Sequence, residues 1–293
     1  MNPNPLRSVL FMPGANQRAM DKARQLAADA IVFDLEDAVA PQAKDSARQA
    51  VLAQLAAGGY GQRQLAVRCN APGTPWGADD IRALARSGIQ TLCLPKVETP
   101  DQLQEVRDLL STCGRPDMQL WAMIETPSGV DNVRQLAAFE SVQALLLGTT
   151  DLCAALRVPQ RPDRLGLQYA LSRCVLAARQ YGVAALDGVH LDLADRDGFV
   201  ALCEQGRALG FDGKTLIHPR QIEPANRVFG PSAQAIEHAR RLLVAWREAQ
   251  AADRGVAVLD GALVEVMHVD QARRTLDLAA QIASLEADAS RGA

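Results

Sequence analysis

The chain has 293 residues, 48% hydrophobic and 22% charged, with a net charge of −3, a balance that excludes disordered and fibrous classes. The pI of about 5.9 offers no basic field for nucleic acid, and no apolar run approaches the ~18 residues of a membrane span. One α/β barrel takes roughly 250 residues, so the length fits a single barrel with a small surplus.

The segment ahead of the first apolar run, with Pro3, Pro5 and Arg7, has no signal-peptide core. The six cysteines (Cys69, Cys93, Cys113, Cys153, Cys174 and Cys203) form no CxxC pair. They read as small buried hydrophobes in a reducing cytoplasm. Apolar runs rich in Val, Ile and Leu then recur at 8–13, 30–37, 64–70, 91–96, 120–126, 142–151, 183–190 and 213–218. Continuous apolar runs suit parallel strands covered on both faces. Between them the period becomes helical. Ala19, Ala23, Leu26 and Ala27 form one stripe, Leu103, Val106, Leu109 and Leu110 another, and Leu167, Leu171, Cys174 and Ala178 a third. Thr99, Pro100 and Gln102 predict a capping box with proline at the first helical position, and Asp195 predicts a second cap.

Eight strand–helix alternations predict an α/β fold, a TIM (β/α)8 barrel with a C-terminal helical and hairpin extension. The alternative is an open doubly wound sheet, but no GxGxxG follows the first strand. The barrel is expected over 1–229 as the catalytic domain, and 230–293 as the extension. In the extension, Ser232 caps a helix carrying Ile236, Ala239, Leu243 and Trp246, and residues 253–255 break it. Asp260-Gly261 turns a hairpin, a last helix runs over 269–285, and 289–293 fray.

Catalysis in such a barrel belongs at the C-terminal strand ends. The runs end on Pro13, Glu36/Asp37, Arg68/Asn70, Lys96, Glu125, Asp151, Asp187 and His218. Asp34 and Glu36 share one strand face, with Ile31, Phe33 and Leu35 on the other. A charge pointing into a barrel requires a partner or a metal, so Asp34, Glu36 and Arg68 are expected to share one. A purely structural ion-pair network is the alternative. Glu125 and Asp151 end neighbouring strands ~4.8 Å apart. Two carboxylates without a His or Cys cluster suit Mg²⁺ better than zinc, unless Asp151 simply caps the following helix. Mg²⁺ beside Arg68 suggests a 2-oxo acid, with the metal as Lewis acid and Arg68 offsetting charge on the carbonyl oxygen. Backbone N–H groups at Gly148, Thr149 and Thr150 would meet its carboxylate. Arg18, Lys22, Arg24 and Lys96 are either solvated or receive phosphates. His218-Pro219 reads as a structural turn. No nucleophilic triad and no Walker loop are present.

Taken in order, RSVLFMPG (7–14), FDLEDAV (33–39), VRCN (67–70), LPKV (94–97), IET (124–126), GTTDL (148–152), DGV (187–189) and GFDGK with IHP (210–219) resemble the citrate lyase β-subunit-like family. That family lies within the HpcH/HpaI aldolase superfamily and is related to malyl-CoA and citramalyl-CoA lyases. The resemblance spans nearly all of 6–285. It implies a Mg²⁺-dependent carbon–carbon lyase that interconverts a 3-hydroxyacyl-CoA with acetyl-CoA and a 2-oxo acid through a thioester enolate. It implies Glu125 and Asp151 as metal ligands, with Asp34, Glu36 and Asp37 holding the metal's waters. Arg68 would contact the substrate carbonyl, Thr150 would bind substrate, and Arg18, Lys22 and Lys96 would face the CoA phosphates. It also implies a homotrimer or homohexamer whose extension reaches a neighbouring subunit and supplies an Asp. Here Glu265 stands in that place, one methylene longer. That departure keeps open an acyl-CoA thioesterase variant and a non-catalytic ligand-binding homologue. A citrate lyase subunit acting on a carrier-protein thioester is the further alternative.

Overall fold

A computed structural model describes residues 4–291. Among them, β1 (Ser8–Pro13), β2 (Ala30–Asp34), β3 (Gln64–Arg68), β4 (Thr91–Leu94), β5 (Gln119–Ile124), β6 (Val142–Leu147), β7 (Ala184–Asp187) and β8 (Gly213–Leu216) form a closed barrel in sequence order. All neighbours are parallel, and Val9 opposite Thr215 closes the ring between β1 and β8. The fold is therefore the expected TIM barrel.

Alternation decides what fills it. Val9, Ala30, Val32, Ala66, Cys93, Trp121, Ala144, Leu146 and Leu186 cluster inside the ring. The small Ala30, Ala66 and Ala144 leave space for the fully buried Trp121. The intervening residues, such as Ile31, Phe33 and Leu35, pack outward with the helices in a larger core.

The helices between strands are α1 (Gln17–Ala23), α2 (Lys44–Ala57), α3 (Gly77–Ala85), α4 (Pro100–Thr112), α5 (Pro127–Ala137), α6 (Thr149–Leu156), α7 (Gln168–Tyr181) and α8 (Arg196–Leu209), with α9 (Ile222–Phe229) after β8. The Thr99/Gln102 capping box is formed on α4, and Asp195 accepts from Gly198 N at the start of α8. Leu26 and Ala27 lie beyond the end of α1, so their stripe is shorter than the sequence pattern suggests. The strands also stop earlier than the apolar runs. The sixth run was expected to extend to 151, but Gly148 is the N-cap of α6. Asp151 therefore sits in the first helical turn rather than at a strand end.

Two buried ion clusters fix the barrel away from its mouth. At its N-terminal end the Arg7 backbone N–H, Nε and Nη2 donate to the Asp29 carboxylate at 2.7, 2.9 and 2.8 Å. On the outer face of β7, Asp187 takes Lys214 Nζ at 2.8 Å and Arg164 Nη1 at 2.6 Å. Gly206 of α8 leaves room there, since a Cβ on it would lie 2.8 Å from Asp187 Oδ2. Asp187, a strand-end acid in the sequence, is thus turned outward toward the helices. Its burial opposes ionisation, but Lys214 and Arg164 outweigh that and hold its pKa below the usual value.

The C-terminal segment forms α10 (Ala233–Ala251), a hairpin of β9 (Ala257–Leu259) and β10 (Ala262–Val264), and α11 (Val266–Arg291). Ser232 caps α10 by accepting from Ala235 N. Asp260 and Gly261 both adopt positive φ, 51° and 79°, the type I′ geometry that suits a two-residue hairpin. Ala239, Leu242, Trp246, Ala257, Val264 and Val269 build a small core of their own. Arg7 Nη2 lies 3.7 Å from Glu286 and ties α11 to the barrel's N-terminal end. The last helix begins earlier than 269 and continues past 285, through part of the stretch expected to fray. The remainder of that stretch, 292–293, and Pro3 lie outside the described residues. The cysteines are unpaired, and all but Cys113 are buried.

Candidate active site

The β2–β3 register sets Asp34 opposite Arg68 at the C-terminal end of the barrel. Arg68 Nε and Nη2 donate to the two Asp34 oxygens at 2.7 and 2.6 Å. This bidentate fork fixes both distance and plane. The same oxygens accept the backbone N–H groups of Glu36 and Ala38 at 2.9 and 3.2 Å, so Asp34 is fully engaged as the clamp of Arg68. Arg68 Nη1 lies 2.8 Å from Glu36 Oε2 and 3.6 Å from Asp37. The guanidinium carbon stands 5.2 Å over the Phe11 ring. Burial alone would lower the Arg68 pKa, but the Asp34 hydrogen bonds and the charges of Asp34 and Glu36 raise it above the ordinary range.

Glu125 immediately follows β5 and is 2% exposed. Its Oε1 accepts the Lys96 backbone N–H at 2.7 Å. A Cβ at position 148 would lie 2.3 Å from its Oε2, so glycine there is what makes room for this carboxylate. Burial pushes the Glu125 pKa up to about 7; the Lys96 N–H opposes that, while the negative charges of Glu36 and Asp151 add to it. Glu36 is raised as well, first by burial, with Arg68 and Lys96 opposing.

Asp151 is partly exposed in α6, and the cap of that helix is Gly148 without a side-chain hydrogen bond. The alternative of Asp151 as a helix cap is therefore set aside. Asp151 instead lines a cleft of about 450 Å³ together with Arg68, Glu125, Thr150, Phe11 and Val189. Among the described residues no three His, Cys, Asp or Glu groups gather as a metal cluster. Two carboxylates with no His or Cys beside them in the cleft, one of them buried and using one oxygen on the Lys96 N–H, nevertheless fit a hard divalent cation. Mg²⁺ commonly takes one or two carboxylates and keeps several waters.

Of the other expected residues, Lys96 joins the mouth, while Arg18, Lys22, Arg24, His218 and Glu265 lie outside the cleft. Arg18 and Lys22 are exposed on α1 and do not line the cleft. Arg24 is held by Asp21 and the Gly58 carbonyl. Lys96 Nζ donates to Glu36 Oε1 at 3.0 Å. His218 Nδ1 accepts from Arg220 N at 3.1 Å, the structural role expected of it. Glu265 is exposed between β10 and α11, its backbone N–H donating to His268 Nδ1, and it does not reach the cleft of its own chain. Sequence reasoning missed Met123, whose sulfur lies 3.8 Å from Arg68 Nη1. It also missed Thr215 in the cleft wall. Alternation puts Met123 on the same face as Trp121, but it does not by itself say which face of a parallel strand is the inner one.

Comparison with known proteins agrees with this geometry. Residues 7–219 match the family model HpcH/HpaI aldolase/citrate lyase. The chain is 47% identical over 284 residues to a (3S)-malyl-CoA thioesterase of Cereibacter sphaeroides (strain ATCC 17025 / ATH 2.4.3), covering 97% of this chain and 98% of that protein. It is 37% identical over 280 residues to citrate lyase subunit beta of Leuconostoc mesenteroides subsp. cremoris, covering 93% of each. The structure of CitE from Mycobacterium tuberculosis in complex with magnesium, acetoacetate and coenzyme A superposes with a TM-score of 0.77 at 32% identity, covering 94% of this chain and 98% of that one. The chain with its Arg68 clamp and its Glu125/Asp151 cleft belongs to the HpcH/HpaI aldolase/citrate lyase family.

Proposed function

We propose that this protein is a Mg²⁺-dependent carbon–carbon lyase acting on a 3-hydroxyacyl-CoA of the malyl or citramalyl type in the cytoplasm. The observation that carries the reading is one cleft holding a clamped Arg68 beside the Glu125/Asp151 carboxylate pair. Bound Mg²⁺ would polarise the oxygen on the substrate carbon that becomes the keto group. Glu125 and Asp151 would hold the ion. Asp34 uses Arg68 Nε and one edge of Nη2, while Nη1 faces Glu36 at 2.8 Å, the more distant Asp37 at 3.6 Å and a weak thioether acceptor. Arg68 therefore has N–H capacity to donate to that oxygen. In the cleavage direction a base removes the hydroxyl proton and the bond between C2 and C3 breaks. Its electron pair passes to the thioester enolate, and a proton delivered to C2 completes acetyl-CoA. Arg18 and Lys22, exposed on α1, are offered for the CoA phosphates, and Thr150 for the substrate carboxylate.

The extension over 230–293 is taken as a lid over a neighbouring copy in a homotrimer or homohexamer, bringing Glu265 as the acid/base. Val258, Leu263, Val266 and Met267 support this: each is more than half exposed on the hairpin and the start of α11.

Thioester hydrolysis is the second reading, favoured by the 47% identity to a malyl-CoA thioesterase over nearly the whole chain. One assay separates the two. Malyl-CoA with Mg²⁺ should give glyoxylate and acetyl-CoA if the lyase reading holds, and malate with free CoA thiol if hydrolysis holds. Cleavage to acetyl-CoA that is unaffected by EDTA would refute the metal-dependent lyase reading, and neither product pair from malyl-CoA or citramalyl-CoA would refute both.

A further inference from the structure

We propose that Lys96 is a positioning residue. It ties the Glu125 side of the cleft to the Arg68 side with two hydrogen bonds, one from its backbone and one from its ammonium. The inference rests on Glu125 and Asp151 being the Mg²⁺ ligands.

The local chain explains the first bond. β4 ends at Leu94, and Pro95 has no N–H to give. Lys96 then adopts φ of 50°, a left-handed conformation uncommon for a long side chain. That turn aims two successive amides at the next strand. Lys96 N–H reaches Glu125 Oε1 at 2.7 Å, and Val97 N–H reaches the Met123 carbonyl at 3.2 Å. Backbone strain of this kind persists where the surroundings fix it, and it clusters at functional sites.

The second bond runs the other way across the mouth. Lys96 Nζ donates to Glu36 Oε1 at 3.0 Å, while Glu36 Oε2 faces Arg68 Nη1 at 2.8 Å. The Glu36 backbone is itself pinned, because the buried Lys44 Nζ donates to the carbonyls of Leu35 and Glu36 at 2.8 and 2.7 Å. Asp34, Arg68, Glu36, Lys96 and Glu125 thus form one connected series. Lys96 occupies one oxygen of each glutamate, which leaves Glu125 Oε2, beside Gly148, as the oxygen that would be available to a bound ion. A lysine serving only CoA phosphates would require neither bond.

The test measures Mg²⁺ affinity by calorimetry without any CoA ester, alongside kcat and KM, for Lys96→Gly, Lys96→Met and Lys96→Arg. Glycine suits the positive φ and keeps the N–H, and methionine keeps the bulk; both delete the ammonium. Outer-shell partners of metal ligands typically contribute 10–100-fold. Accordingly Lys96→Gly and Lys96→Met should each weaken Mg²⁺ about tenfold and lower kcat, with acyl-CoA KM moving less than about threefold and Lys96→Arg restoring most of the affinity. Unchanged Mg²⁺ affinity with a raised acyl-CoA KM would make Lys96 a phosphate contact and overturn the proposal. A loss confined to Lys96→Gly would assign the effect to backbone freedom and overturn it equally. If the unsubstituted protein itself fails to bind Mg²⁺, the metal reading falls and this inference falls with it; Mg²⁺ binding that no variant alters refutes the inference alone.

Discussion

Replacing Glu125 with glutamine should stabilise the metal-free protein at neutral and alkaline pH while abolishing its response to Mg²⁺. In the folded chain the Glu125 pKa is raised from 4.5 to about 7, chiefly by burial. The folded state therefore keeps a proton that the unfolded state has already released between those values. Where the native state binds more protons, stability falls as pH rises. Glu125 thus contributes no penalty below pH ~4.5, a growing one up to pH ~7, and a constant one above. The shift of about 2.5 units corresponds to about 3 kcal/mol at 1.36 kcal/mol per unit. Glutamine is isosteric and keeps an oxygen for the Lys96 N–H, so it removes the charge without removing the hydrogen bond. Urea unfolding in EDTA should show Glu125→Gln more stable by up to about 3 kcal/mol at pH 8, with the difference vanishing near pH 4.5. Mg²⁺ should raise the stability of the unsubstituted chain in proportion to ln(1 + [Mg²⁺]/Kd) and leave the variant unmoved. A variant no more stable than its parent at pH 8 in EDTA, or equally stabilised by Mg²⁺, would refute the reasoning.

Three further outcomes are expected. Asp34→Asn strips the charge that clamps a buried arginine; breaking such a pair typically costs 3–5 kcal/mol, and with Glu36 still at 2.8 Å from Arg68 the low end should be seen in urea unfolding, with kcat falling more than KM rises. Gly148→Ala places a Cβ 2.3 Å from Glu125 Oε2. It should weaken Mg²⁺ binding measured by calorimetry, and since a displacement of ~1 Å can cost about 10²-fold in rate, kcat should drop on that scale. Asp187→Asn leaves Lys214 and Arg164 buried without their anion; thermal unfolding should show a loss of about 3–5 kcal/mol while the acyl-CoA KM of the folded fraction stays unchanged.

Which of these residues belong to the mouth was only partly legible. Strand positions were clear because β-branched and leucine runs alternate with helical stripes, and the Asp34–Arg68 pairing follows from the β2–β3 register. The facing of Asp187 was not. Strands of a parallel barrel are apolar on both faces, so alternation says that Leu186 and Asp187 point apart without saying which points in. Asp151 reads as the end of a strand because Gly148 interrupts an apolar stretch without any side-chain cap to mark the helix start. The left-handed backbone of Lys96 has no signature in the residue itself, since lysine does not favour it. It becomes visible only through Glu125, 29 positions later.

The placement of the tryptophans has a spectroscopic consequence. Trp121 is wholly buried among aliphatic side chains in the ring of strands, its indole N–H without a hydrogen-bond partner among the described residues. Trp246 lies in the separate small core of α10, the hairpin and α11. An indole in dry surroundings emits at shorter wavelength than one reached by water. Of the three tryptophans, Trp121 and Trp246 therefore report from different hydrophobic bodies of one chain, while the half-buried Trp76 at the start of α3 adds a second barrel signal. Loosening of the C-terminal arm would shift the emission of Trp246 while Trp121 stayed blue, so the order in which arm and barrel open can be followed without attaching a dye.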